Sequence, residues 1–326
     1  MINIVCNIDD TYVDFCKLML LGLFKNNPDE EFTVYVIETQ VKESANKKIK
    51  ELESTFRVDI VFCEVPYSFI ENYPIKEQDH LSLAAYLRIF ISDLLPQTVD
   101  KVLYLDCDLL IMDSIADLWN IDLEEFAVAA VEERPPFDVE SPRTLGYPES
   151  YSYFNSGVML INLKYWRKLQ LSKACQEYIS ENFDKIELHD QDVLNALLYD
   201  KKKLLPIRWN LMDFFLFTKL DIQKRRLNDL CAAFEKPAIV HFTGRRKPWV
   251  HNCDSPFRKR YVQLAREYNC HVVPVEVSAH YYIRYYWYLF LRACKLKRKK
   301  VLTASDINQI ITDPQKSLIL LNNKTR

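Results

Sequence analysis

The positions of apolar and polar residues follow two alternating patterns over the first two hundred residues. Short apolar runs predict buried strands at 2–7, 32–38, 58–65, 99–106 and 126–133. Longer segments with apolar residues on one face predict helices at 11–26, 42–54 and 81–94. This alternation is typical of an α/β fold, in which helices cover both faces of a mostly parallel sheet. Ligands of such sheets bind beyond the carboxyl ends of the strands, so polar residues there are the first candidates for a functional site.

The rest of the chain continues the pattern, with strands predicted at 158–163 and 236–242 and helices at 164–182 and 190–199. Neither an internal repeat nor a low-complexity linker interrupts it. The composition changes only near residue 277, beyond which aromatic and basic residues are enriched. We therefore predict a main domain over 1–276 and a C-terminal extension over 277–326.

The glycine content excludes two large classes of nucleotide-binding protein. The 326 residues include only four glycines, Gly22, Gly146, Gly157 and Gly244. They cannot form the three closely spaced glycines of a dinucleotide-binding fingerprint, nor a phosphate loop that ends in Gly-Lys-Ser/Thr. Lys and Arg number 43 against 45 Asp and Glu, and this balance does not indicate nucleic-acid binding. Rossmann-type NAD enzymes, P-loop NTPases and nucleic-acid-binding proteins are therefore not expected.

The cysteines and the first residues indicate a reducing, cytoplasmic environment. The nine cysteines are scattered and include no Cys-x-x-Cys pair, so neither a disulfide framework nor a zinc site is predicted. The N-terminal segment carries acidic residues where a secretory signal would have a basic end and an apolar run. No uncharged stretch approaches the ~20 apolar residues that span a bilayer.

Two carboxylates directly follow the apolar strand at 99–106. Asp106 and Asp108 are two residues apart and can face one hard cation, such as Mg²⁺ or Mn²⁺, which leaves coordination positions for phosphate oxygens. A turn with solvated aspartates explains the same pattern equally well. Phosphatases of the haloacid dehalogenase type also place Asp-x-Asp after a strand, but Leu110 stands where they normally have Thr or Val.

A second candidate segment is IVHFTGRRKPW at 239–249. His241 ends the predicted strand, and its neutral imidazole suits a divalent transition ion. Gly244 permits close approach of the backbone to a phosphate, and Lys247 supplies a positive charge. For His241 the simpler alternative is a core histidine that precedes a solvated basic turn.

Two polar pairs lie beside other predicted elements. Asn155 and Ser156 precede the strand at 158–163, and their short polar side chains can hydrogen-bond sugar hydroxyls. Asp190 and Gln191 open the helix at 190–199. An ordinary turn is the alternative for the first pair, and an N-cap is the alternative for Asp190.

Arg88 and the residues after the first strand are candidates for contacts with a nucleotide. Arg88 lies on the apolar helix at 81–94, where a buried cation needs a bound phosphate or an internal carboxylate as its partner. Asn7 and Asp9 follow the strand at 2–7 and can accept hydrogen bonds from a ribose or a base, although helix capping would use the same residues.

Six segments occur in the order and spacing of one known family: NIDDTY, AAYLRIFISDLLP, KVLYLDCDLLI, YFNSGVMLINLKYW, HDQDVLN and IVHFTGRRKPW. Over about residues 1–260 the chain resembles glycosyltransferase family 8, retaining nucleotide-sugar transferases with a GT-A fold. The likeness is strongest to bacterial lipooligosaccharide and capsule galactosyl- and glucosyltransferases. The resemblance implies an α/β GT-A catalytic domain over 1–276.

The resemblance also assigns roles to the candidate residues. It implies that Asp106, Asp108 and His241 bind Mn²⁺ or Mg²⁺, which holds the diphosphate of a UDP-sugar. Gly244 and Lys247 match the diphosphate-binding turn. The remaining donor contacts are implied for Asn7, Asp9, Thr11 (where many relatives have Asn), Arg88, Cys107, Asn155, Ser156, Asp190 and Gln191.

The implied reaction is transfer of galactose or glucose to a glycan, glycolipid or glycoprotein with retention of anomeric configuration. The cation and Lys247 would neutralise charge on the departing UDP. Gln191 would lie near the anomeric carbon, and a neutral amide is a poor nucleophile. We therefore expect a front-face ion-pair route in which Gln191 stabilises positive charge and Asp190 holds sugar hydroxyls; attack by Gln191 is the alternative.

The segment 281–300 combines seven aromatic residues with seven cations and contains no acid. Tyr and Trp prefer the headgroup depth of a bilayer, and cations attract anionic lipid. We expect this extension to attach the protein to the inner face of the cell membrane. A helix packed on the catalytic domain, with a solvated basic end, is the alternative.

Two other functional classes fit parts of the pattern. An Asp-x-Asp phosphatase or nucleotidyltransferase would use Asp106 and Asp108 for phosphoryl chemistry and release phosphate or pyrophosphate rather than UDP. A non-catalytic membrane adaptor would bind UDP without turnover.

Overall fold

The structure is a computed structural model. It describes residues 1–74, 83–133, 141–216, 224–244, 247–250, 253–270 and 304–313, together with positions 283, 286, 287, 290 and 302.

Ten strands and eleven α-helices are defined in these parts of the chain. The strands are β1 (Ile2–Ile8), β2 (Phe32–Glu38), β3 (Val58–Glu64), β4 (Lys101–Leu105), β5 (Leu109–Ile111), β6 (Val128–Glu132), β7 (Phe154–Asn162), β8 (Lys202–Leu204), β9 (Leu211–Met212) and β10 (Ile239–His241). The helices are α1 (Val13–Asn26), α2 (Glu43–Lys50), α3 (Ile91–Leu94), α4 (Ala116–Trp119), α5 (Ser141–Leu145), α6 (Leu163–Lys168), α7 (Leu171–Glu181), α8 (Asp190–Leu198), α9 (Lys224–Glu235), α10 (Arg258–Glu267) and α11 (Ala304–Thr312). Short 3₁₀ helices cover Glu51–Ser54, Tyr67–Phe69, Leu83–Phe90, Phe183–Lys185, Ile207–Trp209 and Asp213–Leu216.

Seven strands form the main sheet, in the order β3-β2-β1-β4-β7-β6-β8. Strand β7 is antiparallel to β4 and β6, and the other neighbouring pairs are parallel. The antiparallel direction matters for the site, because it brings the first residues of β7 to the edge where β1 and β4 end. A second, three-stranded sheet has the order β5-β10-β9.

Both faces of the main sheet are buried, which explains why its strands are nearly continuous apolar runs. Ile4 and Leu103 point into a core that includes α1 and the small sheet, and Val5 and Val102 point into a second core beneath the 3₁₀ helix Leu83–Phe90. The structure thus confirms the α/β class with a mostly parallel sheet flanked by helices.

Three predicted elements differ from the observed ones. The strand predicted at 158–163 begins at Phe154, so Asn155 and Ser156 lie within β7 rather than before it; the backbone amide of Asp106 hydrogen-bonds Gly157 O (2.9 Å) and continues the ladder. The helix predicted at 164–182 is divided into α6 and α7, with Gln170 in the left-handed region (φ 50°) between them. The helix at 81–94 is a 3₁₀ helix over most of its described length.

The C-terminal region contacts the main core through α11. Ile307 and Ile310 are buried in the same apolar core as α9, and the backbone amide of Leu302 donates to Leu216 O (2.7 Å). Most of the basic-aromatic segment lies outside the described residues, and the boundary at 276/277 stays a prediction. Four of its positions are helical and more than half exposed: Ile283, Tyr286, Trp287 and Phe290. Within the described ranges, no helix has both the length and the apolar character needed to cross a bilayer.

Candidate active site

Three potential metal ligands meet where the two sheets join. Asp106 and Asp108 lie in the turn between β4 and β5, and antiparallel pairing of β5 with β10 places His241 opposite Leu109. His241 Nε2 is 3.1 Å from Asp108 Oδ1 and 3.8 Å from Asp106 Oδ2. The three ligand atoms all lie within 4.8 Å of one another. The pairing of β5 with β10 therefore brings His241 close to two aspartates that precede it by more than 130 residues.

The chemistry of this group fits a divalent cation. Two carboxylates and one imidazole are ligands that Mn²⁺ accepts, and Mg²⁺ prefers the oxygens. Asp108 Oδ1 is buried and receives no hydrogen bond, so a cation would satisfy it. Burial opposes ionisation of Asp108, but Lys247 and His241 outweigh it and hold the pKa of this carboxyl well below its usual range. Asp108 is therefore an ionised carboxylate at neutral pH.

Gly157 of β7 forms the floor of this group. A Cβ atom at this position would lie 2.2 Å from His241 Cε1 and 2.5 Å from Asp106 Oδ2. Both distances are far below van der Waals contact, so any larger residue would displace two of the three potential ligands. The glycine is required by close approach rather than by backbone conformation.

Arg88 is buried and ties the metal-ligand turn to α8. Its Nη2 donates to Asp106 Oδ1 (3.0 Å), its Nε lies 2.9 Å from Asp190 Oδ2, and its Nη1 donates to Ser156 O (2.8 Å) and Oγ (3.0 Å). Burial alone would lower the pKa of Arg88, but the two carboxylates raise it above its usual value. The anionic partners that a buried Arg88 needs are thus two internal carboxylates, those of Asp106 and Asp190. The guanidinium also lies 4.5 Å from the ring centroid of Tyr104.

Asp190 and Gln191 begin α8 and face the start of β7. Burial raises the pKa of Asp190 to about 7, although Arg88 opposes this shift. Gln191 Oε1 accepts from Ser156 N (2.9 Å) and from Asn155 Nδ2 (3.0 Å). Ser156 Oγ donates to Asp190 Oδ2 (3.0 Å). The structure therefore brings four predicted sugar-site residues into one hydrogen-bonded group.

Glu133 completes this group and was not predicted. Its Oε2 accepts from Asn155 Nδ2 and Gln191 Nε2, each at 2.9 Å, and burial raises the pKa of its carboxyl. It directly follows β6 at the carboxyl end of a strand predicted over 126–133. The rule that selected Asp106 would also have selected Glu133, had it been applied to every strand.

A cleft runs from the metal-ligand turn to the end of β1. Its lining comprises Asn7, Ile8, Asp9, Tyr12, Ala84, Ala85, Arg88, Asp106, Cys107 and Asp108. Four of these were predicted donor contacts, and Asp106 and Asp108 were predicted metal ligands, whereas Tyr12 was not predicted. Tyr12 is the last residue of the NIDDTY segment, and an aromatic residue next to candidate nucleotide contacts is the signal that could have identified it.

The side chains at the end of β1 already have protein partners. Asn7 Nδ2 donates to Ala84 O (2.7 Å), and its Oδ1 is in hydrogen-bond contact with the Tyr104 hydroxyl. Thr11 donates through its amide (2.9 Å) and its hydroxyl (2.6 Å) to Asp9 Oδ1, and it does not line the cleft. Cys107 Sγ points to Asn7 O (3.6 Å). The side chains of Asn7 and Thr11 therefore stabilise the protein at this end of the cleft through hydrogen bonds to Ala84 and Asp9.

The turn after β10 lies against the metal ligands. Lys247 Nζ donates to Asp108 Oδ2 (2.6 Å) and to Phe242 O (2.7 Å). The amide of Gly244 donates to Asp213 Oδ2 (3.0 Å), and burial raises the pKa of Asp213 to about 6. Lys247 thus contacts the ligand group directly, whereas Gly244 contacts Asp213, a neighbour that was not predicted.

Comparisons with known proteins agree with this geometry. The sequence profile described as "Glycosyl transferase family 8" matches residues 3–253. General stress protein A of Bacillus subtilis is 35% identical over 268 residues, which cover 79% of this chain and 91% of that protein. Lipopolysaccharide 1,3-galactosyltransferase of Salmonella typhimurium is 27% identical over 252 residues, covering 76% of this chain and 72% of that protein.

A solved structure shares most of this architecture. The galactosyltransferase LgtC, in complex with donor and acceptor sugar analogs, superposes with a TM-score of 0.73 at 25% identity, over 86% of this chain and 99% of that one. This match confirms the predicted GT-A fold. With a family profile that covers most of the sequence, it establishes that the chain belongs to glycosyltransferase family 8 and is a hexosyltransferase.

Proposed function

We propose that the protein transfers galactose or glucose from a UDP-sugar, with retention of configuration and with Mn²⁺ or Mg²⁺ bound by Asp106, Asp108 and His241. The observation that carries the proposal is the position of this ligand group at one end of the cleft. A diphosphate at the cation would direct its nucleoside along the cleft to Asp9 and Tyr12. The tyrosine ring is suited to stack on a base.

The cation and the residues around it would stabilise the departing diphosphate. The bound cation would supply Lewis-acid stabilisation to the departing diphosphate. Lys247 is within reach of the same oxygens, because its ammonium group already contacts Asp108, and the Gly244 amide belongs to the same turn. These groups favour departure of UDP by neutralising the negative charge that it gains.

Gln191 and Asp190 would act on the sugar side of the cleft. The hydrogen bonds from Asn155 and Ser156 hold the Gln191 amide oxygen, and Glu133 holds its nitrogen, so the group is fixed before substrate arrives. A fixed amide dipole stabilises developing positive charge on the sugar without forming a bond. Asp190, held by Arg88, would bind sugar hydroxyls. These roles of Gln191 and Asp190 correspond to a front-face ion-pair route.

The acceptor is proposed to be a glycan, including a glycan on a lipid or protein, at the inner face of the cell membrane. The relative from Salmonella typhimurium is named for lipopolysaccharide synthesis, which supports a lipid-linked acceptor. The helical positions Ile283, Tyr286, Trp287 and Phe290 recur at intervals of three and four, so they share one exposed face. We propose that this face of the extension 277–326 contacts anionic lipid.

A panel of UDP-sugars tests the proposal. Incubation of the protein with each donor and Mn²⁺ should release UDP from one hexose donor, and removal of the metal with EDTA should abolish release. Release of phosphate or pyrophosphate would instead favour a phosphatase or nucleotidyltransferase. UDP binding without turnover of any donor would favour the non-catalytic adaptor.

A further inference from the structure

The imidazole of His241 is held from the side opposite the metal ligands. Its Nε2 faces the Asp108 and Asp106 carboxylates, whereas its Nδ1 lies 3.0 Å from Asn210 Oδ1. Asn210 is completely buried and precedes β9, which pairs with β10 so that Met212 lies opposite His241. Asn210 has hydrogen bonds to the ring and to Asn155, so its direct contact with the ligand group is His241.

Two fixed hydrogen-bond partners determine the orientation of the Asn155 side-chain amide. The backbone amide of Gly157 can only donate, and it bonds Asn155 Oδ1 (3.0 Å). The Glu133 carboxylate accepts from Asn155 Nδ2 (2.9 Å). The oxygen and the nitrogen of the Asn155 side chain are thus assigned independently.

The orientation of Asn155 determines that of the Asn210 amide, which in turn determines which atom of Asn210 faces His241. Asn155 Oδ1 accepts from the Asn210 amide nitrogen (2.7 Å), which leaves Asn210 Oδ1 facing the imidazole. A carbonyl oxygen can only accept, so His241 Nδ1 must carry the hydrogen. In the neutral ring the lone pair then lies on Nε2, so in the absence of a cation Asn210 must outweigh the Asp108 and Asp106 carboxylates, which draw the hydrogen to Nε2.

We infer that Asn210 is a positioning residue that selects the Nδ1–H tautomer of His241 and so directs the Nε2 lone pair toward the cation. The inference rests on the proposed metal-dependent function. It adds a link between the two halves of the site, since Asn155 contacts Glu133 and Gln191 on the sugar side and Asn210 on the metal side. Partners of this kind typically change metal affinity about 10- to 100-fold.

The tautomer can be measured directly in the metal-free protein. Ring nitrogens of ¹⁵N-histidine-labelled protein should be observed by NMR at alkaline pH, where the imidazole is neutral, with the His241 signals assigned by their loss in His241→Gln. The wild type should show hydrogen on Nδ1. In Asn210→Leu, which keeps the side-chain size but removes the acceptor, the hydrogen should move to Nε2, and calorimetric Mn²⁺ affinity should fall about 10- to 100-fold.

Asn210→Asp is the matched variant, because its carboxylate still accepts from Nδ1. It should keep the Nδ1–H tautomer even if its melting temperature falls. A wild-type protein with hydrogen on Nε2 would overturn the inference without any variant, and so would an unchanged tautomer in Asn210→Leu. A wild type that shows the Nδ1–H tautomer but binds no Mn²⁺ would support the inference about Asn210 and refute the proposed metal dependence.

Discussion

At the scale of single residues, the two carboxylate oxygens of each aspartate in the metal-ligand turn, Asp106 and Asp108, have different partners. Asp106 uses Oδ1 for Arg88 and for the Tyr104 hydroxyl (2.7 Å), which leaves Oδ2 facing His241. Asp108 uses Oδ2 for Lys247 and leaves Oδ1 facing the same imidazole. One oxygen of each carboxylate therefore positions the group, and the other is available to a cation.

Gly157→Ala should abolish this arrangement. The added methyl group overlaps His241 and Asp106 and would displace them. We therefore expect Mn²⁺ affinity to fall by about 100-fold. Calorimetric titration with Mn²⁺ measures it. Gly22→Ala is the control, because its Cβ would meet only the tip of Leu264 within about 3.2 Å, far from the site. Wild-type metal affinity in Gly157→Ala would contradict the proposed ligand group.

Gln191→Ala should lower kcat by about 100-fold while the affinity for UDP changes little. In the proposed mechanism the amide acts on the sugar rather than the nucleotide, so its loss should affect only charge that develops in the reaction. Steady-state kinetics and UDP titration separate the two effects. Gln263→Ala, on the exposed face of α10, is the control. Equal losses in kcat and UDP affinity, or a trapped glycosyl adduct on Gln191, would refute the assigned role.

Metal binding should weaken as the pH falls. Burial would lower the pKa of His241, but Asp108 outweighs it and raises the pKa above its usual value. Protons therefore compete for Nε2 at a higher pH than they would at an ordinary histidine, and the apparent Mn²⁺ affinity should begin to decline above the pH at which an ordinary histidine titrates. Titrations at several pH values measure this. His241→Gln should bind more weakly with a flat profile; a flat wild-type profile would exclude His241 as a ligand.

At the scale of elements, α8 is joined to β7 by buried polar side chains as well as by apolar packing. Asn195 is fully buried; it accepts from Phe154 N (2.8 Å) and donates to Phe154 O (2.8 Å) and Gln191 O (2.9 Å). Asp192 accepts from the Tyr153 hydroxyl and from two backbone amides, each at 2.7 Å. These bonds determine where the first residues of α8 stand relative to the sugar-site residues of β7.

Asn195→Ala should destabilise the fold and the site together. It leaves both backbone groups of Phe154 without their partner, and we expect the free energy of unfolding to fall by roughly 2 to 4 kcal/mol. Urea denaturation measures this loss, and kcat should fall because Asn195 no longer joins the backbone of Gln191 to the start of β7. Asn120→Ala, at an exposed position after α4, should change neither. Unchanged stability in Asn195→Ala would contradict the bridging role of Asn195.

At the scale of the whole molecule, the site lies at the junction of two sheets and two apolar cores. The small sheet supplies His241, the main sheet supplies Asp106 and the start of β7, and α8 supplies Gln191. The C-terminal region adds α11 to the same core as α9. Deleting everything after residue 276 would therefore remove packing as well as the exposed apolar face, so substitutions on that face are the cleaner test of membrane contact.

Replacement of Ile283, Trp287 and Phe290 by serine should reduce binding to phosphatidylglycerol-containing vesicles by about tenfold or more, because three apolar side chains lose their lipid contact. Vesicle sedimentation measures binding, and UDP-sugar hydrolysis should be unchanged. Phe183→Ser, at a side chain that is 49% exposed elsewhere on the surface, is the control. Undiminished vesicle binding by the triple variant would refute the role of this face.

The sequence by itself determined the α/β class, the six family segments and most residues of the site. Alternating apolar runs specify strands and helices locally, and side chains at strand ends have few roles other than ligand binding or turn formation. It could not decide whether His241 is a metal ligand or a core histidine, nor whether Arg88 pairs with a bound phosphate or an internal carboxylate, since each answer depends on a partner elsewhere in the chain. It also misplaced the start of β7, because Asn155 and Ser156 have the composition of a turn.

Only the tertiary structure decided the partners and their direction. The antiparallel course of β7 placed Gly157 against His241 and Asp106, and it brought Glu133 and Asn210 to opposite ends of the Asn155 amide. Close approach and the direction of a hydrogen bond are properties of pairs of atoms, and these pairs come from strands that are distant in sequence. Their contribution to the site therefore exists only once the chain has folded.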